Sequence, residues 1–128
     1  MITIKTETPI SPERIACLMI SAVEGGCNDW CSGLFLERPT EKGLSEQPWY
    51  AAPELYENPE LRLRVVEQVE VDDETKDYVV DLIDIQRGLQ IMAEKYPTHF
   101  ADIVNENDDA ITADVFLQCV ALKEVVYG

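Results

Sequence analysis

Four residues of types that could hold a small ligand stand close together at positions 24–30. Gly25 and Gly26 have no side chain, so a ligand can approach their backbone closely. Asn28 offers both a donor and an acceptor, and Trp30 offers an aromatic face for stacking. The same residues are also typical of a helix end, a turn and a core aromatic. The structural interpretation is favoured, because the negative end of a helix dipole would repel a phosphate here.

Two basic residues on one predicted strand are the second candidate for ligand contact. Arg62 and Arg64 are two positions apart, so their side chains share one face of a strand. They could meet the anionic part of a ligand, or they could pair with neighbouring acids. Both interpretations stay open at the level of sequence.

The cysteines and the one histidine do not form a recognisable metal or catalytic motif. Cys27 and Cys31 could begin a zinc site with His99 or Cys119, but their spacing is looser than a paired-cysteine knuckle and the second half of the ligand set is missing. No serine–histidine–aspartate order, phosphate-binding loop or dinucleotide fingerprint is present. We therefore predict free thiols, no metal, no cofactor and no enzymatic activity.

Carboxylates surround a predicted hairpin in the second half of the chain. They could bind a basic protein surface by imitating a nucleic-acid backbone. The favoured alternative is a solvated sheet edge that carries charge to resist aggregation. The candidate partner-binding residues are Glu70, Asp72, Asp73, Glu74 and Asp77, within a longer stretch that also holds Glu67, Asp81 and Asp84.

Charge is the most extreme property of the sequence. The 128 residues carry a net charge of −15 at pH 7, and 46% of them are hydrophobic. This length and composition predict a single domain over residues 1–128 with a core of its own. The negative charge argues against direct binding of nucleic acid or of an anionic membrane, because both would be repelled. It favours attraction to basic partners. Because no signal peptide or apolar span is visible, we expect a cytoplasmic protein.

The first half of the chain has clear local signals. Alternation predicts a strand over residues 2–7. Ser11 and Pro12 predict the start of a helix that ends at Gly25 or Gly26, with one of these glycines in the left-handed region. A strand over residues 29–37 would place Trp30, Leu34 and Leu36 on one face. Five residues that break regular structure predict a long excursion at about residues 38–60: Pro39, Gly43, Pro48, Pro53 and Pro59.

The second half predicts a hairpin followed by helices. A strand over 61–71, with a bulge near Val66 and Glu67, would pair with a strand that begins at Tyr78. Asp84 is predicted to cap a helix that stops at Pro97, a short helix follows to residue 104, and Thr112 is predicted to cap a buried last helix. The fold class is therefore α+β, with a small antiparallel sheet packed against about three helices. One core should contain Leu18, Leu89, Met92, Phe116 and Val120.

Four short motifs give the chain a family resemblance. Residues 24–30 read E-G-G-C-N-D-W, residues 92–97 read M-A-E-K-Y-P, residues 114–118 read D-V-F-L-Q, and residues 127–128 read Y-G. In these motifs the chain resembles a family of small uncharacterised proteins of tailed bacteriophages and prophages. The resemblance covers residues 11–31 and 85–128. Cys27, Asp29 and Cys31 stand where the family pattern has serine and tyrosines. The two cysteines are thus local replacements, which weakens the case for a zinc site.

The resemblance implies an accessory protein that acts in the cytoplasm of a bacterial host. Together with the charge, it favours a counter-defence protein that binds and inhibits a host protein with a basic surface. The alternative is a sponge that sequesters a nucleotide immune signal at Gly25, Gly26, Asn28 and Trp30, with Arg62 and Arg64 as phosphate contacts. No residue of the sequence chooses between the two.

Overall fold

The computed structural model describes residues 1–27, 29–37, 48–69 and 74–128. These residues form a three-stranded antiparallel sheet and four α-helices, so the predicted α+β class is confirmed. The strands are β1 (Cys31–Leu36), β2 (Leu63–Gln68) and β3 (Thr75–Val80). The helices are α1 (Pro12–Ser21), α2 (Leu82–Lys95), α3 (Pro97–Val104) and α4 (Ala110–Ala121).

The predicted strand over residues 2–7 is wrong. This segment has no regular secondary structure, and Ile2 and Ile4 are 93% and 77% exposed. Alternation of apolar and polar residues favours an extended chain, but a strand also needs a neighbour that completes its hydrogen bonds. No described strand pairs with residues 2–7.

The first helix begins as predicted and ends differently. The Ser11 hydroxyl accepts a hydrogen bond from the Arg14 N–H at 3.2 Å, and proline follows at the first helical position. A π-helical turn, Ala22–Gly26, then continues α1, and the Cys27 N–H donates to the Ala22 carbonyl at 2.9 Å. Neither Gly25 nor Gly26 has a positive φ, so the predicted left-handed cap is wrong. The wider turn ends the helix without one.

The sheet has the order β1-β2-β3 with antiparallel pairing throughout. Tyr78 lies opposite Val65, which confirms the predicted hairpin partner. The predicted bulge lies on the other strand: the register shifts between Cys31 and Gly33 of β1, opposite Val66 and Glu67. Ser32 is the extra residue, and it is exposed while Cys31 and Gly33 are buried.

Two helix caps lie one turn before their predicted positions. Asp81, not Asp84, caps α2, and the two aspartates form a capping box in which each carboxylate accepts from the other's backbone N–H at 2.9 and 3.0 Å. Asp109 caps α4 by accepting from the Thr112 N–H at 2.9 Å, so Thr112 lies inside the helix. In both helices the third helical residue could be mistaken for the cap, because it is also a polar residue of capping type.

The connection between β1 and β2 contains two short 3₁₀ turns, Trp49–Ala51 and Pro53–Glu57, in its described part. Tyr50 and Tyr56 are buried there, and the Tyr56 hydroxyl donates to the Tyr50 carbonyl at 2.5 Å. The first part of the predicted excursion, residues 38–47, lies outside the described residues. The described remainder is therefore anchored to the core by aromatic side chains.

The core contains the five predicted residues. Leu18, Met92, Phe116 and Val120 are buried, and Leu89 packs against them while partly buried. At the crossing of α2 and α4, a Cβ on Gly88 would lie 2.6 Å from the Val120 Cγ2, so the helices approach closely only because residue 88 is glycine. No helix in the described part of the chain has the length and apolar character needed to cross a bilayer.

Candidate functional site

The glycine pair packs against the first turn of α4. A Cβ on Gly26 would lie 2.5 Å from the Ala110 carbonyl oxygen and 3.2 Å from the Asp114 backbone nitrogen. A Cβ on Gly25 would meet only the Ala110 Cβ, at 3.8 Å. The absence of a side chain at Gly26 is therefore required by packing against α4, and not by the left-handed helix end that the structural interpretation predicted.

The aromatic face of Trp30 is covered by the end of the same chain. The ring of Tyr127 stacks on Trp30 with centroids 6.0 Å apart and planes 3° apart, and Trp30 is only 1% exposed. The indole N–H donates to Asp114 Oδ1 at 2.6 Å. Trp30, just before β1, thus contacts both α4 and the C-terminal segment in the core. A ligand could stack on the indole ring only after Tyr127 had moved.

One buried glutamine holds the C-terminal segment in place. Gln118 is fully buried on α4, and its side-chain oxygen accepts from the Val126 and Tyr127 backbone N–H groups at 2.8 and 2.9 Å. Its amide nitrogen donates to the Tyr127 carbonyl and to Asp114 Oδ2, both at 3.1 Å. Both donors and both acceptor lone pairs of the buried amide are thereby used, and the C-terminal segment is tied to α4.

A buried carboxylate completes this arrangement. Glu67 on β2 is 7% exposed and accepts hydrogen bonds from the hydroxyls of Tyr78 on β3, at 2.7 Å, and Tyr127. The hydrogen bond to Glu67, followed by burial, raises the pKa of Tyr78 to about 12, because loss of the tyrosine proton would place two negative charges together. We call Trp30, Glu67, Asp114, Gln118 and Tyr127 the tail network.

Both candidate arginines contact acids of their own chain. Arg64 Nε lies 3.0 Å from Glu37 Oε1, and its Nη1 lies 3.5 Å from Asp77 Oδ2. The guanidinium also stacks over Phe35, 4.3 Å from the ring centroid. Arg62 donates to the Leu61 carbonyl at 2.8 Å and lies 3.9 Å from Asp81. Of the two interpretations left open by the sequence, pairing with neighbouring acids describes these contacts.

Two of the five candidate partner-binding acids lie in the described part of the hairpin. Glu74 precedes β3 and is exposed, and the Asp77 side chain on β3 is 49% exposed. Since Arg64 lies between Glu37 and Asp77, one positive charge faces two negative ones and the cluster stays negative. Glu70, Asp72 and Asp73 lie outside the described residues, as does Asn28 of the ligand set.

The four thiols differ in how accessible they are to solvent. Cys27, Cys31 and Cys119 are buried, while Cys17 is exposed. A hydrogen bond with Cys31 and burial raise the pKa of the Cys27 thiol, whereas the pKa of Cys31 is lowered by the same contact. Burial raises the pKa of Cys119 to about 11. In the described residues no three histidine, cysteine or acidic side chains come together as metal ligands, and His99 Nδ1 lies 3.4 Å from the Thr112 hydroxyl.

The tail network is not recognisable as a unit in the sequence. Glu67 stood out only as one acid of many, and Gln118 and Tyr127 only as members of motifs. The signal was nevertheless present, because the glycine–tryptophan motif and the two C-terminal motifs of the resemblance supply Trp30, Asp114, Gln118 and Tyr127. The fold brings these separate motifs together.

No family model, curated protein or solved structure matches this chain. Its function must therefore be inferred from the contacts and charges described above.

Proposed function

We propose that this chain is a phage-encoded, non-enzymatic counter-defence protein that binds a basic surface of a host protein and inhibits it in the host cytoplasm. The acids Glu70, Asp72, Asp73, Glu74 and Asp77 around the β2–β3 turn form the contact surface, which we call the acidic hairpin. One observation supports this choice above the others. Trp30 and Arg64, needed for the alternative ligand site, are engaged within the chain, while Glu74 and Asp77 present carboxylates at the surface.

The charge of the chain supports rapid association with a basic partner. A net charge of −15 creates a field that attracts positive surfaces over roughly 8–10 Å at ordinary salt. Such steering can raise association rate constants by about 10- to 1000-fold. β3 is one of the two edge strands of the described sheet, so its exposed acids can reach a partner without any rearrangement of the core.

Inhibition would follow from occupation of the partner's basic surface. A host nuclease or other nucleic-acid-binding protein holds its substrate by lysine and arginine contacts to phosphates. Carboxylates placed on that surface compete with the substrate for the same cations. The proposal requires no catalytic group and no cofactor in this chain.

The alternative, a nucleotide sponge, requires more change. Tyr127 would have to leave Trp30, and Arg64 would have to leave Glu37 and Asp77, before both could contact a ligand. Each departure exposes an apolar ring or breaks an ion pair, and so costs free energy that the ligand must supply. We therefore prefer the protein-binding proposal.

Capture from host extract tests the proposal directly. The tagged full-length chain is incubated with bacterial extract at low salt and again at physiological salt, and retained proteins are compared with those on a tagged neutral control protein. We expect retention of a basic protein that falls steeply with salt. Release of a nucleotide on heating the purified chain, with no retained protein, would contradict the proposal and favour the sponge.

A further inference from the structure

A groove of about 930 Å³ lies between the N-terminal segment and α2. One wall is the N-terminal arm, which we define as residues 1–10, and the floor is one face of α2. The apolar floor residues recur at helical spacing and lie on one face of α2, together with Gln86 and Gln90. These apolar residues are Leu82, Ile85, Leu89 and Ala93.

The base of the groove carries apolar side chains beside polar ones, and the groove is not filled by the chain itself. Leu82 and Leu89 are only partly buried, and Phe100 and Ile10 at its sides are also partly buried. Ile4 on the arm wall is 77% exposed. These partly exposed apolar side chains are available for contact with another molecule.

The charges at the groove define the chemistry of its occupant. Glu7 on the arm and Glu94 on α2 line it, and no lysine, arginine or histidine is among its lining residues. The remaining polar lining comes from uncharged side chains such as Gln86 and Gln90. An occupant should therefore carry apolar side chains toward the floor and positive charge toward the rim.

The length of the floor suits a helix. From Leu82 to Ala93 the helix rises by about 16 Å at about 1.5 Å per residue, which corresponds to roughly three turns. An amphipathic helix of that length presents three or four apolar anchors on one face, which is the usual way a helix lies in a groove. The volume is also within the range of about 300–1000 Å³ typical of binding sites.

We propose that the groove between the N-terminal arm and α2 binds an amphipathic helix of the partner protein that carries lysine or arginine beside its apolar stripe. This inference rests on the proposed function, since it assigns a second contact to the same basic partner. A second copy of this chain is a poorer occupant, because each copy carries −15 and both rims are acidic.

The test uses a synthetic helical peptide of leucine and lysine as probe, with a leucine–glutamate peptide of the same pattern as its counterpart. Binding is measured by calorimetric titration at physiological salt. Ala93→Trp fills the floor of the groove, and Arg87→Trp places the same bulk at an exposed position of α2 outside the groove lining. Glu94→Lys reverses one rim charge, with exposed Glu24→Lys as its matched control.

We expect the lysine peptide to bind the parent chain and the glutamate peptide not to bind it. The lysine peptide should bind Ala93→Trp about tenfold more weakly and Glu94→Lys several-fold more weakly. The affinities of the two controls, Arg87→Trp and Glu24→Lys, should stay close to that of the parent. Circular dichroism of each variant checks that it is folded. Equal binding to folded Ala93→Trp and Arg87→Trp would overturn the proposal. A parent dimer that Ala93→Trp dissociates would also overturn it, since the groove would then bind a second copy.

These outcomes are separate from those of the proposed function. The proposal that the groove binds a helix is contradicted if Ala93→Trp leaves peptide binding unchanged. The proposal that the acidic hairpin is the binding surface is contradicted if reversal of its charges leaves association with the captured host protein unchanged. Different variants and different probes therefore report on the two proposals.

Discussion

Tyr127 lies parallel to Trp30, with ring centroids 6.0 Å apart, although 97 positions of the 128-residue sequence separate them. The C-terminal segment therefore acts as part of the core. Its hydrogen bonds to Gln118 and Glu67 fix the position of the tyrosine ring. The tail network explains why the glycine–tryptophan motif and the C-terminal motif occur in one chain: each supplies part of a single buried contact.

Substitution of Tyr127 should separate the stacking from the hydrogen bond. Tyr127→Phe keeps the ring on Trp30 and removes the hydroxyl from Glu67, and should cost about 1.5–3 kcal/mol of unfolding free energy. Tyr127→Ala also removes the stacked pair and should cost about 2–4 kcal/mol. Urea unfolding measures both. Equal stability of Tyr127→Ala and the parent would show that the tail does not belong to the core.

The glycine pair offers a matched test of packing. Gly26→Ala places a Cβ 2.5 Å from the Ala110 carbonyl oxygen, so α4 must shift, and we expect a loss of about 1–3 kcal/mol. Gly25→Ala meets only an ordinary contact at 3.8 Å and should be neutral or stabilise by up to about 1 kcal/mol. Thermal and urea unfolding compare the two. Similar effects of both substitutions would contradict the close approach.

Alkaline pH should destabilise the fold through Tyr78. Its pKa is raised from 10.0 to about 12 in the folded chain, so the folded state holds the tyrosine proton more tightly than the unfolded state. The resulting stabilisation is fully present below pH 10 and is lost as pH rises toward about 12. Tyr78→Phe should make the unfolding free energy less dependent on pH over that range. Tyr56, whose pKa burial also raises, should leave part of the dependence in the variant.

The thiols should divide into one accessible group and three protected ones. Cys17 is exposed on α1, whereas Cys27, Cys31 and Cys119 are buried. A thiol reagent should therefore modify one cysteine rapidly in the native chain and the others only on unfolding. Cys17→Ser should remove the rapid phase. A rapid phase that survives in this variant would show that a buried thiol is accessible.

Elemental analysis of the purified chain tests the separate prediction that no metal is bound, and zinc bound at one atom per chain would contradict it.

Local signals in the sequence were sufficient for most of the fold. The Ser11–Pro12 start of α1, the stop of α2 before Pro97 and the hairpin between β2 and β3 each depend on a few neighbouring residues. These features are set by backbone restrictions and hydrogen bonds among residues that are close in sequence. The apolar stripes of α1, α2 and α4 likewise predicted the shared core.

Features that depend on distant residues could not be predicted in this way. Residues 2–7 have the alternation of a strand, but no described strand pairs with them. The bulge lies on β1 and not on β2 as predicted, because an antiparallel pair can hold the extra residue on either strand. Trp30 was read as a possible ligand face, since nothing near it in sequence indicates that Asp114 and Tyr127 will cover it. Such contacts are determined by tertiary packing.

Association kinetics with the captured host protein test the central claim most directly. The variant Asp72→Lys, Asp73→Lys, Glu74→Lys reverses three charges of the acidic hairpin. Its control, Glu54→Lys, Glu57→Lys, Glu60→Lys, reverses three exposed acids elsewhere and makes the same change in net charge. We predict that the hairpin variant lowers the association rate constant by at least about tenfold at low salt, and that the control lowers it far less. Equal rates for the two variants would show that net charge alone attracts the partner and would contradict the claim that the acidic hairpin is the binding surface.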